Sequence, residues 1–351
     1  MYTIEQSKMW KEIFEQPSAI RNSLQINVPL IKEIAREVES RNIKTVILVG
    51  RGSSDHANMV ARYLFETYCG MIVSISAPAV ITAYHGNIDY SNVLMIAVSQ
   101  SGAARDIFEV MKECDRQGGL CVSITNNRGS LMTTAGKYAL NNECGPETSI
   151  TAAKSYLTQV TLLTAFATYI SGNTDLLDAL NDISEVTKRA LLLENQVRNA
   201  IPLFRNSEHM MIFGRGLLYA LGMETELKVQ ETSYFDARCY ASSDYRHGPI
   251  ATAQRFVPTM FFIADKATDY CPVDLHNRLK RETAIFSLIV TNKPEIAKLG
   301  DISILLPEDM DGIRAVFAGA VVSQMFACLL SISRGYNPDE PVGVTKTTVT
   351  L

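Results

Sequence analysis

Residues 46–66 read VILVGRGSSDHANMVARYLFE, and residues 209–231 read HMMIFGRGLLYALGMETELKVQE. Each stretch predicts an apolar strand, a Gly-Arg-Gly turn and a helix, and Gly50 precedes its counterpart Gly214 by 164 positions. Two further pairs of segments repeat at nearly the same spacing: residues 123–140 with 289–305, and the apolar helices that end at Gly172 and Gly335. Repeats that share one spacing at three places indicate two copies of one strand-helix domain.

Short runs rich in valine, isoleucine and leucine alternate with helical stretches in both copies. The predicted strands cover residues 45–50, 71–76, 93–98, 120–125 and 137–141, then 209–213, 257–263, 284–290 and 302–306, with a further short strand before His247. Continuous apolar strands that alternate with helices are typical of a parallel sheet covered on both faces. The predicted fold class is α/β, with two tandem domains, each a parallel sheet flanked by helices in a flavodoxin-like three-layer sandwich.

These patterns also predict the limits of the domains. The predicted domains are residues 1–40 (helical lead-in), 41–175 (first domain), 176–340 (charged helical connector and second domain) and 341–351 (tail). Within the lead-in, Gln16-Pro17 separates two short predicted helices over residues 7–15 and 28–40. The tail is polar, and its proline and glycine disfavour a helix.

Composition and charge exclude several classes of protein. A net charge of −4 and scattered lysines and arginines leave no basic surface for nucleic acid. Seven cysteines without a CxxC pair fit the reduced thiols of a cytosolic protein, and no group of His, Cys and carboxylates has metal-ligand spacing. The N-terminus lacks an apolar signal-peptide core, and no run is predicted to reach membrane-spanning length. We therefore expect a cytoplasmic protein with no nucleic-acid or membrane partner and no metal or other cofactor.

The predicted strand over residues 93–98 runs directly into Ser99-Gln100-Ser101-Gly102, and a helix is predicted after it. This order places hydroxyls, a glycine and backbone N–H groups at a helix N-terminus, in the crevice where parallel sheets bind ligands. We expect the loop to bind an anion. The alternative is that serines at such positions only cap helices.

A neighbouring loop offers the same chemistry, since Gly52, Ser53 and Ser54 follow the first predicted strand. Ser54 could likewise be only a helix cap. In the second copy, the shared spacing brings Asp265 to the place of Ser101, and a carboxylate would repel phosphate. The anion site is therefore predicted in the first copy alone. Without a P-loop lysine, it suits a sugar phosphate better than ATP.

The second copy has candidate acid/base residues that the first copy lacks. Lys228 and Glu231 are three residues apart on one predicted helix, so their side chains lie on the same face. A solvated surface ion pair is the alternative for these two residues. His247 precedes Gly248-Pro249 and could instead be only a turn residue that hydrogen-bonds the backbone.

A carboxylate and an imidazole beside a sugar phosphate fit aldose-ketose interconversion. This reaction needs a base that moves a proton between C2 and C1, and a group that moves protons at the ring oxygen to open the ring. Both groups work best with a pKa near the working pH. A nearby lysine would stabilise negative charge on the intermediate or form an imine with a ketose carbonyl.

Six motifs occur in the order found in a known family. They are VGRGSSDHA (49–57), SQSG (99–102), AAKSYLTQ (152–159), ELKVQETSY (226–234), YRHGP (245–249) and NPDEPVGVTKTTVTL (337–351). With these motifs the chain resembles the SIS (sugar isomerase) family over nearly its full length. It is similar to the isomerase part of glucosamine-6-phosphate synthase and, more closely, to stand-alone glucosamine-6-phosphate deaminases of this family.

The resemblance implies a role for each matched residue. It implies that Ser54, Ser99, Gln100 and Ser101 hold the sugar phosphate, that Glu231 shifts the C1/C2 proton, that His247 opens the ring, that Lys228 stabilises the intermediate, and that Lys346 meets the open-chain ketose. It also implies that the tail closes over the site. Since the family typically delivers the histidine from the neighbouring subunit, it implies a homodimer with a shared active site.

The chain departs from the family pattern at a few positions. Asp244 stands where glutamate is usual, and Ala104 and Ala152 stand where the synthases usually have threonine and serine, which bears on substrate identity. Tyr2 follows Met1, so no N-terminal cysteine could release ammonia from glutamine, and this favours deamination over synthesis.

We therefore expect an enzyme that deaminates glucosamine-6-phosphate to fructose-6-phosphate. The enzymatic alternatives are a fructosamine-phosphate deglycase and a simple aldose-ketose phosphate isomerase. A sugar-phosphate sensor without catalysis is an alternative from a different class. The expected reaction requires the serine-rich loops of the first copy and the acid/base residues of the second copy to face one cavity.

Overall fold

A computed structural model describes residues 2–346, so Met1 and residues 347–351 of the predicted tail lie outside the described residues. Helix α1 (Lys8–Ser40) precedes the first sheet. The first copy continues with β1 (Thr45–Val49), α2 (Ser53–Cys69), β2 (Ile72–Ile75), α3 (Ala79–Thr82), β3 (Leu94–Val98), α4 (Arg105–Arg116), β4 (Leu120–Thr125), β5 (Tyr138–Asn141) and α5 (Lys154–Ser171).

Two helices lead into the second copy, and the polypeptide then repeats the same alternation. The elements are α6 (Thr174–Leu191), α7 (Glu194–Phe204), β6 (His209–Gly214), α8 (Leu217–Ser233), β7 (Asp236–Ala241), β8 (Pro258–Ile263), α9 (Tyr270–Thr283), β9 (Phe286–Thr291), α10 (Pro294–Ala297), β10 (Ile302–Leu305) and α11 (Ile313–Ser333). Short 3-10 helices cover Ile4–Gln6, Leu131–Thr134, Asp244–Arg246 and Pro249–Thr252.

The two sheets have the same strand order. The first sheet is ordered β2-β1-β3-β4-β5 and the second β7-β6-β8-β9-β10 in this orientation, and every strand pair is parallel. This is the flavodoxin-like order, in which the chain reverses direction across the sheet between the first and third strands. The α/β fold class and the duplication predicted from the sequence are confirmed. The crevices of interest therefore lie after β1 and β3, and after β6 and β8.

The Gly-Arg-Gly turn recurs because its backbone requires glycine. Gly52 has φ 55° and ψ −131°, and Gly216 has φ 60° and ψ −132°. L-residues with a side chain rarely adopt this backbone conformation. A Cβ on Gly50 would lie 2.7 Å from Nδ2 of Asn58, and one on Gly214 would lie 2.3 Å from the carbonyl oxygen of Leu218. The turn brings each helix too close to its strand for any larger residue.

The chain divides into two compact units. One unit holds the first sheet and, within the described residues, consists of residues 16–147, 154–182 and 345–346. The other holds the second sheet and consists of residues up to 15, 148–153 and 183–344. We call them the first and second units. The domain limits given above remain a prediction.

The expectation of two short helices in the lead-in is wrong, because α1 is continuous through Pro17 and Pro29. An interior proline removes one backbone hydrogen bond and normally breaks a helix. Ile13 precedes Pro17 and Ile20 follows it, and both side chains are fully buried. Burial of apolar residues on either side of the proline favours one helix and overrides the local signal.

Helix α11 is the apolar centre of the second unit. Its length and composition would suffice to cross a membrane, which corrects the expectation that no run reaches that length, but 94% of its most apolar window is buried within the protein. It packs against α8, where the hydroxyls of Ser323 and Thr225 are 2.8 Å apart and the Ser331 hydroxyl donates to the Thr232 carbonyl at 2.6 Å. These contacts fix the position of α8.

The carboxylate of Asp339 caps the first turn of α1. It is almost fully buried and accepts the backbone N–H groups of Lys8 at 2.6 Å and Met9 at 2.8 Å, and the hydroxyl of Ser7 at 3.2 Å. The phenol of Tyr2 also donates to it, and burial together with this carboxylate raises the pKa of Tyr2. A side chain distant in sequence thus satisfies N–H groups that the helix itself cannot pair.

We expect Asp339→Ala to lower the free energy of unfolding by about 2 kcal/mol, because it leaves buried donors at the helix start without an acceptor. The measurement is urea unfolding followed by circular dichroism. Glu340→Ala is the matched control, since it removes the same charge from an exposed neighbour. Equal losses in the two variants would show that the cap contributes nothing.

Candidate functional site

The Ser99–Gly102 loop is held rigidly at the carboxyl end of β3. The N–H of Ser99 donates to the Ile124 carbonyl at 3.0 Å, and the N–H of Asn126 donates to the Gln100 carbonyl at 2.9 Å. Within the loop, the Ser99 hydroxyl accepts the N–H of Gly102 at 3.1 Å. Ser99, Gln100 and Ser101 are all half-buried. The loop therefore has a fixed backbone with partly accessible polar side chains.

Neither Ser54 nor Ser99 is an N-cap, which removes the capping alternative. The N-cap of α2 is Gly52 and the N-cap of α4 is Ala104, and neither provides a side-chain cap. Ser53 and Ser54 instead occupy the first turn of α2, with Ser54 buried. Ala104 leaves the N-cap position of α4 without a hydroxyl.

The two serine-containing loops of the first unit leave the same edge of the sheet. Strands β1 and β3 are parallel neighbours in which Val49 pairs with Ala97, so the residues that follow them emerge side by side. The guanidinium of Arg51 also pairs with the buried carboxylate of Asp106 at the start of α4, which joins the two loops. Arg51 was not among the predicted site residues, although its place between two glycines of a strand-helix turn was a usable signal.

Gly102 is required by a close contact and by its backbone. Its φ is +63°, and an added Cβ would lie 2.1 Å from the Ser130 hydroxyl and 2.9 Å from Cγ2 of Thr125. The loop thus packs against the segments that follow β4 with no space for a side chain. Its conformation depends on glycine at this position.

In the second unit a carboxylate occupies the corresponding crevice. Asp265 follows β8, is nearly buried, and its Oδ1 accepts the N–H of Ala267 at 3.0 Å. Burial raises the pKa of Asp265, and the nearby carboxylates of Asp311 and Asp269 raise it further. An acidic crevice of this kind disfavours a phosphate. The anion site of the first copy stays a prediction.

Lys228 and Glu231 do not form a solvated surface pair. The Lys228 side chain is fully buried, and its Nζ lies 2.7 Å from Oε2 of Glu231 and 3.5 Å from Oε1 of Glu224. Glu224 is also buried, whereas the Glu231 side chain keeps 20% of its surface exposed. Burying charges is costly unless they are paired, and the Lys228 ammonium is paired with both carboxylates.

Glu224 is a buried neighbour of the candidate residue Lys228 that was not predicted from the sequence. It lies one turn before Lys228 on α8, and a carboxylate four residues before a lysine is a recognised helical pair. The spacing was therefore visible in the sequence, but its burial was not. Because Glu224 and Glu231 flank the ammonium from both sides, the lysine has little freedom to move.

His247 is displayed on a firmly anchored segment. Tyr245 is buried, with its ring 4.8 Å from that of Phe213, and the guanidinium of Arg246 is 2.7 Å from the Asp274 carboxylate. His247 itself is exposed, and within residues 2–346 its imidazole makes no hydrogen bond or ion pair. Its backbone N–H donates to the Asp244 carbonyl at 3.0 Å and closes a turn. The turn accounts for the backbone position of His247 but not for the exposed position of its imidazole.

Lys346 belongs to the first unit and is paired there. Its Nζ lies 2.8 Å from Oε2 of Glu147, a carboxylate that is fully buried. The sequence analysis did not identify Glu147. The first unit therefore holds Lys346 and the serine loops, and the second unit holds Lys228, Glu231 and His247.

The fold is that of a tandem α/β protein with two copies of one parallel-sheet domain. The family model for the SIS domain matches residues 40–169 and 203–334, and the chain belongs to the SIS domain family.

Known proteins resemble the chain over most of its length. A glutamine–fructose-6-phosphate aminotransferase (isomerizing) from Thermococcus kodakarensis is 27% identical over 348 residues, which cover 96% of this chain and 57% of the relative. The chain thus spans less than two thirds of that relative's length. A structure described as a candidate phosphosugar isomerase from Silicibacter pomeroyi has a TM-score of 0.85 at 24% identity, with 95% of this chain and 100% of that chain covered. A glucosamine-6-phosphate deaminase from Thermotoga maritima has a TM-score of 0.76 at 21% identity, with 98% and 100% covered.

We expect Gly102→Ala to lower the free energy of unfolding by about 1–3 kcal/mol more than Gly70→Ala, because only the former adds a clash. Gly70 is a matched control with φ +61° and nothing within 4 Å of an added Cβ, so both variants share the backbone strain. Urea unfolding of the two variants measures the difference. Indistinguishable losses would contradict the close packing of the loop.

Proposed function

We propose that the protein converts glucosamine-6-phosphate to fructose-6-phosphate and ammonia. The observation that carries the proposal is the Glu231 carboxylate, which is partly exposed and held 2.7 Å from a fully buried lysine. A carboxylate that is oriented by a fixed cation and still accessible suits proton transfer at a carbon atom. The serine loops of the first unit and the names of the relatives, which concern sugar phosphates and glucosamine-6-phosphate, support this substrate.

In the proposed reaction, residues 99–101 and Ser54 hold the phosphate by hydroxyl and backbone donors. His247 moves a proton between the C1 hydroxyl and the ring oxygen, so that the ring opens to the aldehyde. Glu231 then removes the proton from C2 to give an enolamine and returns it to the C1 carbon. The C1 oxygen gains a proton and the C2 amine loses one, which leaves a hydroxyl at C1 and an imine at C2. Lys228 stabilises the negative charge that develops on the C1 oxygen.

The final step releases ammonia. Water adds to the C2 imine carbon, the C–N bond of the resulting carbinolamine breaks, and the ketose carbonyl forms as ammonia leaves. We propose that Lys346 acts close to this carbonyl. An aldose-ketose phosphate isomerase would share the proton transfer but release no ammonia, and a fructosamine-phosphate deglycase would start from a different adduct.

The assay mixes the protein with glucosamine-6-phosphate and follows ammonia and fructose-6-phosphate together. We expect both products in equal amounts, and we expect Glu231→Gln to lower kcat by about 10²–10⁴-fold while changing KM little, because it removes the base. Glu226→Gln is the matched control, since it makes the same charge change on the same helix.

Three outcomes separate the alternatives. A ketose product without ammonia would overturn the deaminase proposal in favour of an isomerase. Ammonia from a fructosamine phosphate but not from glucosamine-6-phosphate would indicate the deglycase. Binding of sugar phosphate without turnover, unchanged in Glu231→Gln, would indicate a sensor.

We further propose a cytoplasmic homodimer in which His247 acts on substrate bound by the neighbouring subunit. The exposure of the His247 imidazole supports this arrangement. Mixing inactive Glu231→Gln and His247→Ala chains, with refolding to exchange subunits, should restore roughly a quarter of wild-type activity, since half of the dimers would have one intact site. A mixture that stays inactive, although mixed dimers form, would place the histidine and glutamate in one chain.

A further inference from the structure

Glu147 is a buried carboxylate that the proposed reaction does not use. It follows β5 and precedes α5, and its Oε1 accepts the N–H of Ser155 at 3.0 Å while its Oε2 accepts the Ser155 hydroxyl at 2.7 Å. Ser155 lies in the first turn of α5, so Glu147 satisfies donors at the positive end of that helix. Helix α5 is itself almost completely buried, so the Ser155 donors that bind Glu147 have a fixed position.

The second partner of Glu147 is Lys346. The ammonium lies 2.8 Å from Oε2, the same oxygen that binds the Ser155 hydroxyl. Burial alone would raise the pKa of Glu147, but Lys346 and the Ser155 donors outweigh burial and lower this pKa. Glu147 is therefore ionised at neutral pH and loses its charge only when the pH falls below the ordinary carboxylate range. The Lys346 side chain keeps 27% of its surface exposed, so the lysine is partly accessible to solvent.

The neighbourhood of Glu147 contains further titratable groups. The buried ammonium of Lys154 donates to the Pro146 carbonyl at 2.8 Å, next to Glu147 in the chain. Burial raises the pKa of the nearby Cys144 thiol to about 12, so the thiol is neutral. The carboxylate thus has cations and helix donors around it, and it is the anion to which the tail lysine is bound.

We propose that Glu147 is a positioning residue for the C-terminal tail, because its buried carboxylate binds the Lys346 ammonium and determines where this lysine meets the substrate. Only the meeting of Lys346 with the substrate rests on the proposed function. The proposal assigns no proton transfer to Glu147. Because the ion pair holds the Lys346 ammonium against a buried carboxylate, we expect the free protein to shield this lysine from reagents in solution.

The first test measures the reactivity of Lys346 without substrate. Brief reductive methylation at pH 8, read by mass spectrometry of the peptide that contains Lys346, reports how accessible the Lys346 amine is to the reagent. We expect Glu147→Gln to raise Lys346 labelling about tenfold, because the variant loses the ion pair that holds the ammonium against the protein. Lys137, which pairs with Glu37 in the same unit, is the internal standard.

Two control variants separate positioning from general damage. Glu143→Gln makes the same charge change nearby, but Glu143 pairs with Arg128, so Lys346 labelling should stay at the wild-type level. Ser155→Ala removes a partner of Glu147 and keeps the ion pair, so it should reduce stability without raising Lys346 labelling. If Glu147 were only structural, Ser155→Ala and Glu147→Gln would change labelling alike.

The second test uses turnover of glucosamine-6-phosphate. We expect Glu147→Gln, Lys346→Met and the double variant to lower kcat/KM by the same factor, because the two residues act as one unit. Unchanged Lys346 labelling in Glu147→Gln, or fully additive kinetic losses, would overturn the proposal. If wild-type protein releases no ammonia but the labelling result holds, the proposed function fails while the binding of the tail by Glu147 stands.

Discussion

A parallel sheet covered on both faces has no exposed side, and this constraint determines where the protein can place polar chemistry. Every residue of β3, β4 and β8 is buried. Polar groups can then reach solvent only where strands end, and the reversal in strand order keeps two adjacent ends free of crossing connections. The serine loops and the acidic crevice both lie at such ends, although the loops offer hydrogen-bond donors and the crevice holds carboxylates.

The two copies show how one backbone supports different chemistry. The second glycine of the Gly-Arg-Gly turn has nearly the same dihedral angles in both copies, so the backbone requires glycine at both positions although the two crevices differ chemically. After β3 the chain has serines, and after β8 it has Asp265. The helix after the turn differs as well. Helix α2 begins with two serines, whereas α8 carries the ion-paired residues Glu224, Lys228 and Glu231.

Much of this fold was predictable, because long apolar strands and helices signal themselves locally. The duplication and nearly all strands followed from such signals. The bounds of β7 did not, since this edge strand is only partly buried and has polar residues at alternate positions. The continuity of α1 through Pro17 depends on tertiary packing. So does the burial of Lys228, which lies on α8, a helix that packs against the sequence-distant α11. Glu147 escaped notice for the same reason, because its partner Lys346 is distant in sequence.

The burial of α11 has a consequence for synthesis. A helix with this hydropathy would attract chaperones or the membrane-insertion machinery if it stayed exposed on a nascent chain. Its packing partners α7 and α8 precede it in sequence, so both have already left the ribosome when α11 emerges. The order of the elements thus shortens the time for which the most apolar segment is without cover. A circular permutant that places α11 ahead of α7 would lengthen that time and should aggregate during expression even if its folded state were unchanged.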